Sequence, residues 1–221
     1  MLSAHDIERP EPRWPAAVAV LAAAALHFAL PVALRVGPPG LLVALVLTLL
    51  AIAFVARHVG LHHVNSKAGY GVLGLLTLGL FYGIAMLLSG LVRHTISAPD
   101  LLRAAAVLWA TNVIVFASWY WRLDGGGPNV REIGEAHTRG AFLFPQMAVA
   151  APNALDVTIA EADKWRPGFV DYLFVAFNTS TAFSPTDVPV LSRWAKLTMM
   201  TQSVISVTAV VLLVGRAVNI L

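Results

Sequence analysis

The chain has 221 residues, of which 58% are hydrophobic and only 12% charged, against about 45–50% and about 25% in soluble domains. A single soluble core of this size covers only about 70% of the surface its unfolded chain exposes, too little to hide so much apolar area. The net charge of +3 from 15 basic and 12 acidic side chains is too small and dispersed for a nucleic-acid surface, disorder is excluded by the apolar content, and the absence of cysteine excludes a disulfide-stapled secreted scaffold. An all-α integral membrane protein is predicted.

A spanning helix needs about 20 apolar residues. The first predicted span runs from Trp14 to Leu34, closed by Arg35, with His27 inside it and Pro31 near its end. A neutral histidine bonded to a neighbouring helix is the simplest role for His27. Asp6, Glu8 and Glu11 outweigh Arg9 and Arg13 before it, and the apolar run is too long for a signal-peptide core, so it reads as a retained span.

The second span is Gly40 to Ala56, stopped by Arg57, and the third is Ala68 to Val92, closed by Arg93 and His94. Gly79 and Gly83 in the third give it a small-xxx-small face, which predicts close helix packing. The fourth span is Leu101 to Trp121, preceded by Ser97 and Asp100 as a helix start and ended by Trp119, Tyr120 and Trp121, an aromatic belt before Arg122. Arg103 is placed to snorkel to the headgroups.

Residues 122–167 form the only long polar connection and hold Asp124, Glu132, Glu135, Asp156, Glu161 and Asp163. Gly125–Pro128 must turn. Ala141–Ala151 is apolar but too short to span and is broken by Pro145, which predicts a surface-lying or docked segment. Trp165, Arg166 and Pro167 look like an interface anchor leading back into the bilayer.

Gly168 to Pro185 is apolar and aromatic in its first half and polar in its second, where Asn178, Thr179, Ser180 and Thr181 precede Ser184, Thr186 and Asp187. Two readings stay open. One is a re-entrant pore loop, since a half-length helix followed by irregular polar backbone is tolerated at membrane depth only inside protein or beside water. The other is a short sixth span whose hydroxyls bond back to their own helix carbonyls. Asp171, in the first turn, complements the helix N-terminus or pairs with Arg103 or Arg166.

The last span, from Val190 or Leu191 to Leu221, is longer than a bilayer requires. At 100° per residue Thr198, Thr201, Gln202, Thr208, Arg216 and Asn219 share one face, which must meet protein or water. Interhelical hydrogen bonding and a water-lined pathway both satisfy that demand.

The stretch DYLFVAFNTSTAFSPTDVPVLSRWAKLTMMTQSVIS resembles the pore-helix, filter and inner-helix module of two-transmembrane potassium channels. In that likeness Phe174–Asn178 is the half-helix, Thr179–Thr181 begins the filter, Asp187 ends it, Pro189, Arg193 and Lys196 form the turn, and the inner helix starts at Leu197. The resemblance covers about a quarter of the chain and implies a conduit for monovalent cations built by a homo-oligomer. No glycine lies between Gly168 and Gly215, whereas potassium filters need glycine to turn alternate carbonyls inward. A side-chain-lined, weakly selective pathway using Thr179, Thr181, Thr186 and Asp187 is what the residues allow instead. The same third of the chain, with Tyr120–Asp124 and Phe142–Gln146, also resembles bacterial predicted polytopic membrane-protein families of uncharacterised activity.

With the N-terminus inside and six crossings, basic residues divide ten inside to five outside, as the positive-inside rule favours. A pore loop entered from outside needs the opposite orientation, so the charge bias opposes it. His58, His62 and His63 have a spacing metals can use on one helical face, but no acid or cysteine completes the set, and a solvated helix end is the simpler reading. No Ser/His/Asp arrangement, Walker loop, dinucleotide fingerprint or zincin pattern occurs, so no enzymatic activity and no cofactor are predicted.

The expected architecture is five transmembrane helices plus the half-length re-entrant, or short sixth spanning, segment. It divides into a four-helix region (1–121), a polar loop (122–167) and a pore-loop-like segment with the final helix (168–221). The pore or filter candidates are Asn178, Thr179, Ser180, Thr181, Thr186 and Asp187, and the pore-lining candidates are Thr198, Thr201, Gln202 and Thr208. The expected function is a channel-like ion conduit in a bacterial inner membrane; the alternative is a non-conducting scaffold or accessory subunit. The expected partners are the lipid bilayer, monovalent cations and further copies of the chain, and nucleic acid is not expected.

Overall fold

The computed structural model describes residues 11–133, 140–148, 166–181 and 188–217. Helix α1 (Trp14–Leu26) has proline in its first turn, where the missing N–H costs nothing. The predicted first span is not one helix. The residue before a proline is driven out of the helical region, and Leu30, before Pro31, is extended at φ −71° and ψ 146°. Short 3-10 turns flank the break, and the Arg35 guanidinium closes it by donating to the carbonyls of Leu30 (2.8 Å) and Phe28 (2.7 Å).

Gly40, at φ +83°, turns the chain into α2 (Leu41–His58), and Gly60, at φ +79°, turns it into α3 (His62–Arg93). This second turn separates His58 from His62, so the three histidines do not share a helical face. Helix α3 begins six residues before the expected Ala68 and at 32 residues is about 48 Å long. Its small face packs as expected. A Cβ on Gly79 would lie 2.9 Å from Leu42 Cδ1 of α2, and one on Gly83 would lie 2.6 Å from Leu108 Cδ2.

Leu108 belongs to α4 (Ala98–Leu123), capped by Ser97, whose hydroxyl accepts from the Asp100 N–H at 3.3 Å. The short helices α5 (Pro128–Ile133) and α6 (Pro145–Ala148) follow, then α7 (Phe169–Thr181) and α8 (Arg193–Ala217). Helices α2, α3, α4 and α8 are long and apolar enough to cross a membrane, and the apolar helix at Trp14–Ala29 is shorter. This fits an all-helical, multi-pass membrane protein.

Helix α4 is the axis of the bundle and gives it two ends, marked by Asp124 and His94. Contacts along α4 fix the direction of the rest. In α3, Gly69 lies against Arg122, Gly83 against Leu108, and Gly90 against Ile96, so α3 runs antiparallel to α4. In α8, Trp194 meets Phe142 near the Asp124 end, Gln202 meets Tyr120, and Ser206 meets Asn112, so α8 also runs antiparallel to α4. The expected aromatic belt is instead core: Tyr120 is fully buried and Trp121 nearly so, because α7 and α8 cover that face.

Candidate functional site

Helix α7 starts and its chain returns at one end of the bundle. At its start, Phe169 packs edge-on against Trp121 at 6.0 Å, and Tyr172 reaches Asp124. Its far end lies halfway along α4, where Trp109 Nε1 donates to the Ser180 carbonyl at 3.5 Å and the Trp109 ring packs on Phe177. By Val188 the chain is back at the Asp124 end. Leu143 N–H donates to the Pro189 carbonyl at 2.9 Å, Leu191 N–H donates to the Ala141 carbonyl at 2.8 Å, and Phe142 and Val190 form an isolated antiparallel bridge. Thirteen helical residues cover about 20 Å, short of a hydrocarbon core of about 30 Å.

One carboxylate ties both arms of this excursion. Asp124 is fully buried; its Oδ2 accepts from the Tyr172 hydroxyl at 2.7 Å, and its Oδ1 accepts from the Ala141 N–H. Arg131 braces the same corner. Its Nη1 donates to the carbonyls of Trp121 (2.8 Å) and Asp124 (2.6 Å), its Nη2 pairs with Glu11 at 3.0 Å, and its guanidinium lies over the Tyr172 ring at 5.5 Å. Glu11 also accepts from Trp121 Nε1. Asp171 accepts from the Gly168 N–H at 2.8 Å, which is the helix-start role. The apolar segment after residue 140 is docked, with Phe142 and Phe144 buried against the aromatic rings of Tyr120 and Tyr172.

Deeper along α4, a polar junction joins α4, α7 and α8. Gln202 is fully buried. Its Oε1 accepts from the Tyr120 hydroxyl, and its Nε2 donates to the Ala176 carbonyl and to Ser180 Oγ, both at 2.7 Å. Asn112 Nδ2 donates to the Gln202 carbonyl (3.1 Å) and to Ser206 Oγ (2.8 Å). Both amide protons of Gln202 and its carbonyl are therefore used, as a buried amide requires.

Of the residues singled out in the sequence, the junction brings Ser180 and Gln202 together. The hydroxyls of Thr179, Thr181, Thr198, Thr201 and Thr208 bond back to the carbonyls of Val175, Phe177, Trp194, Leu197 and Val204. Thr181 and Thr201 are exposed, while Asn178, Thr179, Thr198 and Thr208 are half-buried. The amide of Asn178 makes no hydrogen bond among the described residues. Thr186, Asp187 and Asn219 lie outside the described residues. His27 is buried beside a small cavity with Leu30, Leu42 and Thr111, and its ring makes no hydrogen bond among the described residues. No group of three or more His, Asp or Glu side chains that could hold a metal ion occurs among the described residues.

Asn112, Tyr120, Asp124 and Arg131 carry the site; the sequence alone gives Tyr120 an interfacial place and Asp124 a place in the polar loop, and does not single out Asn112 or Arg131. A tyrosine and an acid beside a run of tryptophans look interfacial, and only partners some 50 to 120 positions away in the chain, such as Tyr172, Gln202 and Glu11, show that they are buried. No family model, no curated protein and no solved structure matches the chain.

Proposed function

We propose that residues 168–221 form a re-entrant module in an inner-membrane protein, and that this module is an ion conduit with a glycine-free, hydroxyl-lined path. The observation that carries the reading is the return of the chain at Val188–Leu191 to the end where α7 began. A half-length helix that stops partway along a spanning helix is tolerated at membrane depth only inside protein or beside water, which suits a site there. Monovalent cations are the permeant class, because threonine hydroxyls and a carboxylate such as Asp187 replace hydration water without a fixed divalent cage. The protein acts without catalysis of its own, and a homo-oligomer would enclose the path.

The same geometry supports a sidedness. With a re-entrant α7, Arg193 and Lys196 join the N-terminal side and Arg216 leaves it, so basic residues divide eleven to four by chain order. The positive-inside rule then places the Asp124 end in the cytoplasm. The loop is entered from inside, opposite to potassium channels, and the charge bias that opposed an outside-entered loop supports this one.

A second reading is favoured by the closed hydrogen bonding of Gln202. Because Tyr120, Ala176 and Ser180 use every polar atom of the Gln202 side chain, the junction also suits a non-conducting scaffold or accessory subunit whose returning half-helix is structural. Ion flux into liposomes holding the purified protein separates the two. The conduit predicts flux above empty vesicles that changes with Thr181→Val and Asp187→Ala. Absent flux, or flux indifferent to both changes, leaves the accessory reading.

A further inference from the structure

A cleft of about 170 Å³ opens between α1, α2, α3 and α4 at the Asp124 end. Its walls are apolar, including Ala17, Val20, Leu50 and Val72, yet Arg13, Arg57 and Arg122 line it too. Arg122 also lines a second, polar cavity of about 230 Å³ with His62, His63, Ser66, Tyr70 and Asn129. No acidic side chain lines either cavity among the described residues.

Arg122 is held in place by carbonyls and a ring, with no acid beside it among the described residues. Its Nη2 donates to the carbonyls of Asn65 (3.3 Å) and Ser66 (3.1 Å), and its guanidinium stacks over Tyr70 at 5.1 Å. Its Nε is buried and has no hydrogen-bond partner. The guanidinium lies so close to Gly69 that a Cβ there would sit 1.9 Å from Nη2, so a bare backbone is what admits it. A cation lodged among membrane helices usually faces an acid, water or a ligand, and among the described residues no acid pairs with Arg122.

We propose that this double cavity binds an anionic phospholipid, with the phosphate on Arg122 between the two chambers and one acyl chain in the apolar cleft. Guanidinium suits phosphate because its fork of donors matches two phosphate oxygens. Arg13 and Arg57 line the same cleft, and basic pockets between helices on the cytoplasmic side are a recurrent headgroup site. The polar chamber, with Ser66, Asn129 and two imidazoles, receives the rest of the headgroup. An acyl chain accounts for the apolar walls, which a free anion would not need. The site lies on the α1–α4 side of Arg122 and does not depend on whether residues 168–221 conduct.

Thermal unfolding of the full chain in a neutral detergent tests this, with dioleoyl phosphatidylglycerol, dioleoyl phosphatidylcholine or inorganic phosphate added at equal phosphorus. Phosphatidylglycerol should raise the midpoint at lower concentration than phosphatidylcholine, and inorganic phosphate should not reproduce the effect. Arg122→Gln should weaken the apparent affinity for phosphatidylglycerol about fivefold, the effect of one guanidinium near an anionic headgroup. Ala17→Phe fills the apolar cleft while leaving every arginine in the chain and should also weaken it, which decides the matter if Arg122→Gln does not fold. Equal stabilisation by phosphatidylcholine, or a wild-type response to phosphatidylglycerol in Ala17→Phe, overturns the proposal. Inorganic phosphate matching phosphatidylglycerol would make the site one for a free anion and overturn the lipid assignment.

Discussion

The hydroxyl of Tyr172 donates to Asp124 Oδ2 at 2.7 Å, while the other oxygen of that carboxylate accepts the Ala141 N–H. Ala141 in turn accepts from Leu191 through its carbonyl. The arm that enters as α7 and the arm that returns before α8 are thus fastened to one buried acid at the end of α4.

If Asp124 is the shared anchor, the two hydrogen bonds should be energetically coupled. Tyr172→Phe should cost about 1–3 kcal/mol, the penalty for a buried polar group left without its partner. Asp124→Ala should cost more, because it strands both the Tyr172 hydroxyl and the Ala141 N–H. Adding Tyr172→Phe to Asp124→Ala should then cost little, since the partner is already gone. Unfolding midpoints of the two single variants and the double variant check this; strict additivity would show that the two residues do not act together.

The junction at Gln202 predicts a sharp contrast between neighbours on one helix. Gln202→Leu leaves the Tyr120 hydroxyl, the Ser180 hydroxyl and the Ala176 carbonyl without that partner, at about 1–3 kcal/mol for each group that stays unsatisfied. Thr201→Val removes an exposed hydroxyl that only bonds back to Leu197, and should stay within about 0.5 kcal/mol. Measured stabilities that rank the two the other way would contradict the observed burial.

Glycines separate by what surrounds them rather than by type. Gly127 has φ +90°, and a Cβ there would lie 2.6 Å from the backbone oxygen of Arg122, which a side-chain shift cannot relieve. Gly127→Ala should therefore destabilise by about 1–3 kcal/mol or more. Gly74, in the middle of α3, has nothing within 4 Å of its Cβ position, so Gly74→Ala should gain up to about 1 kcal/mol of helix stability. Thermal unfolding of the two variants side by side tests both signs.

The sequence made the long spans legible because about 20 uninterrupted apolar residues have few other uses. The Ser97 cap, the Gly79 and Gly83 packing face and the helix-start role of Asp171 were also readable, being local in the chain. The break at Pro31 is signalled by the proline itself, although hydropathy runs on through it. Direction at α7 was not legible. Its apolar first half and hydroxyl-rich second half fit a marginal span as well as a return, and a return is favoured only by distant contacts, of Phe169 with Trp121 and of Val190 and Leu191 with Phe142 and Ala141. Nor was the burial of Tyr120 and Asp124, since polar residues beside Trp119 and Trp121 look alike in sequence whether they face headgroups or a packed helix, nor that of Arg131, whose partner Glu11 is 120 positions away. Arg122 passed for the stop signal of a span because nothing local reveals that Gly69 makes room for it.

A re-entrant α7 requires that the chain enter and leave it on one side of the membrane. Arg166 and Leu191 are both exposed and flank the excursion, while Arg93 is exposed at the opposite end of the bundle. The native chain has no cysteine, so single cysteines at these three positions can be labelled against a clean background with a membrane-impermeant thiol reagent, in right-side-out and inverted vesicles. The account predicts that Arg166→Cys and Leu191→Cys label together from the cytoplasmic side, with Arg93→Cys labelling from the other. Labelling of positions 166 and 191 from opposite sides would make α7 a crossing and contradict the account.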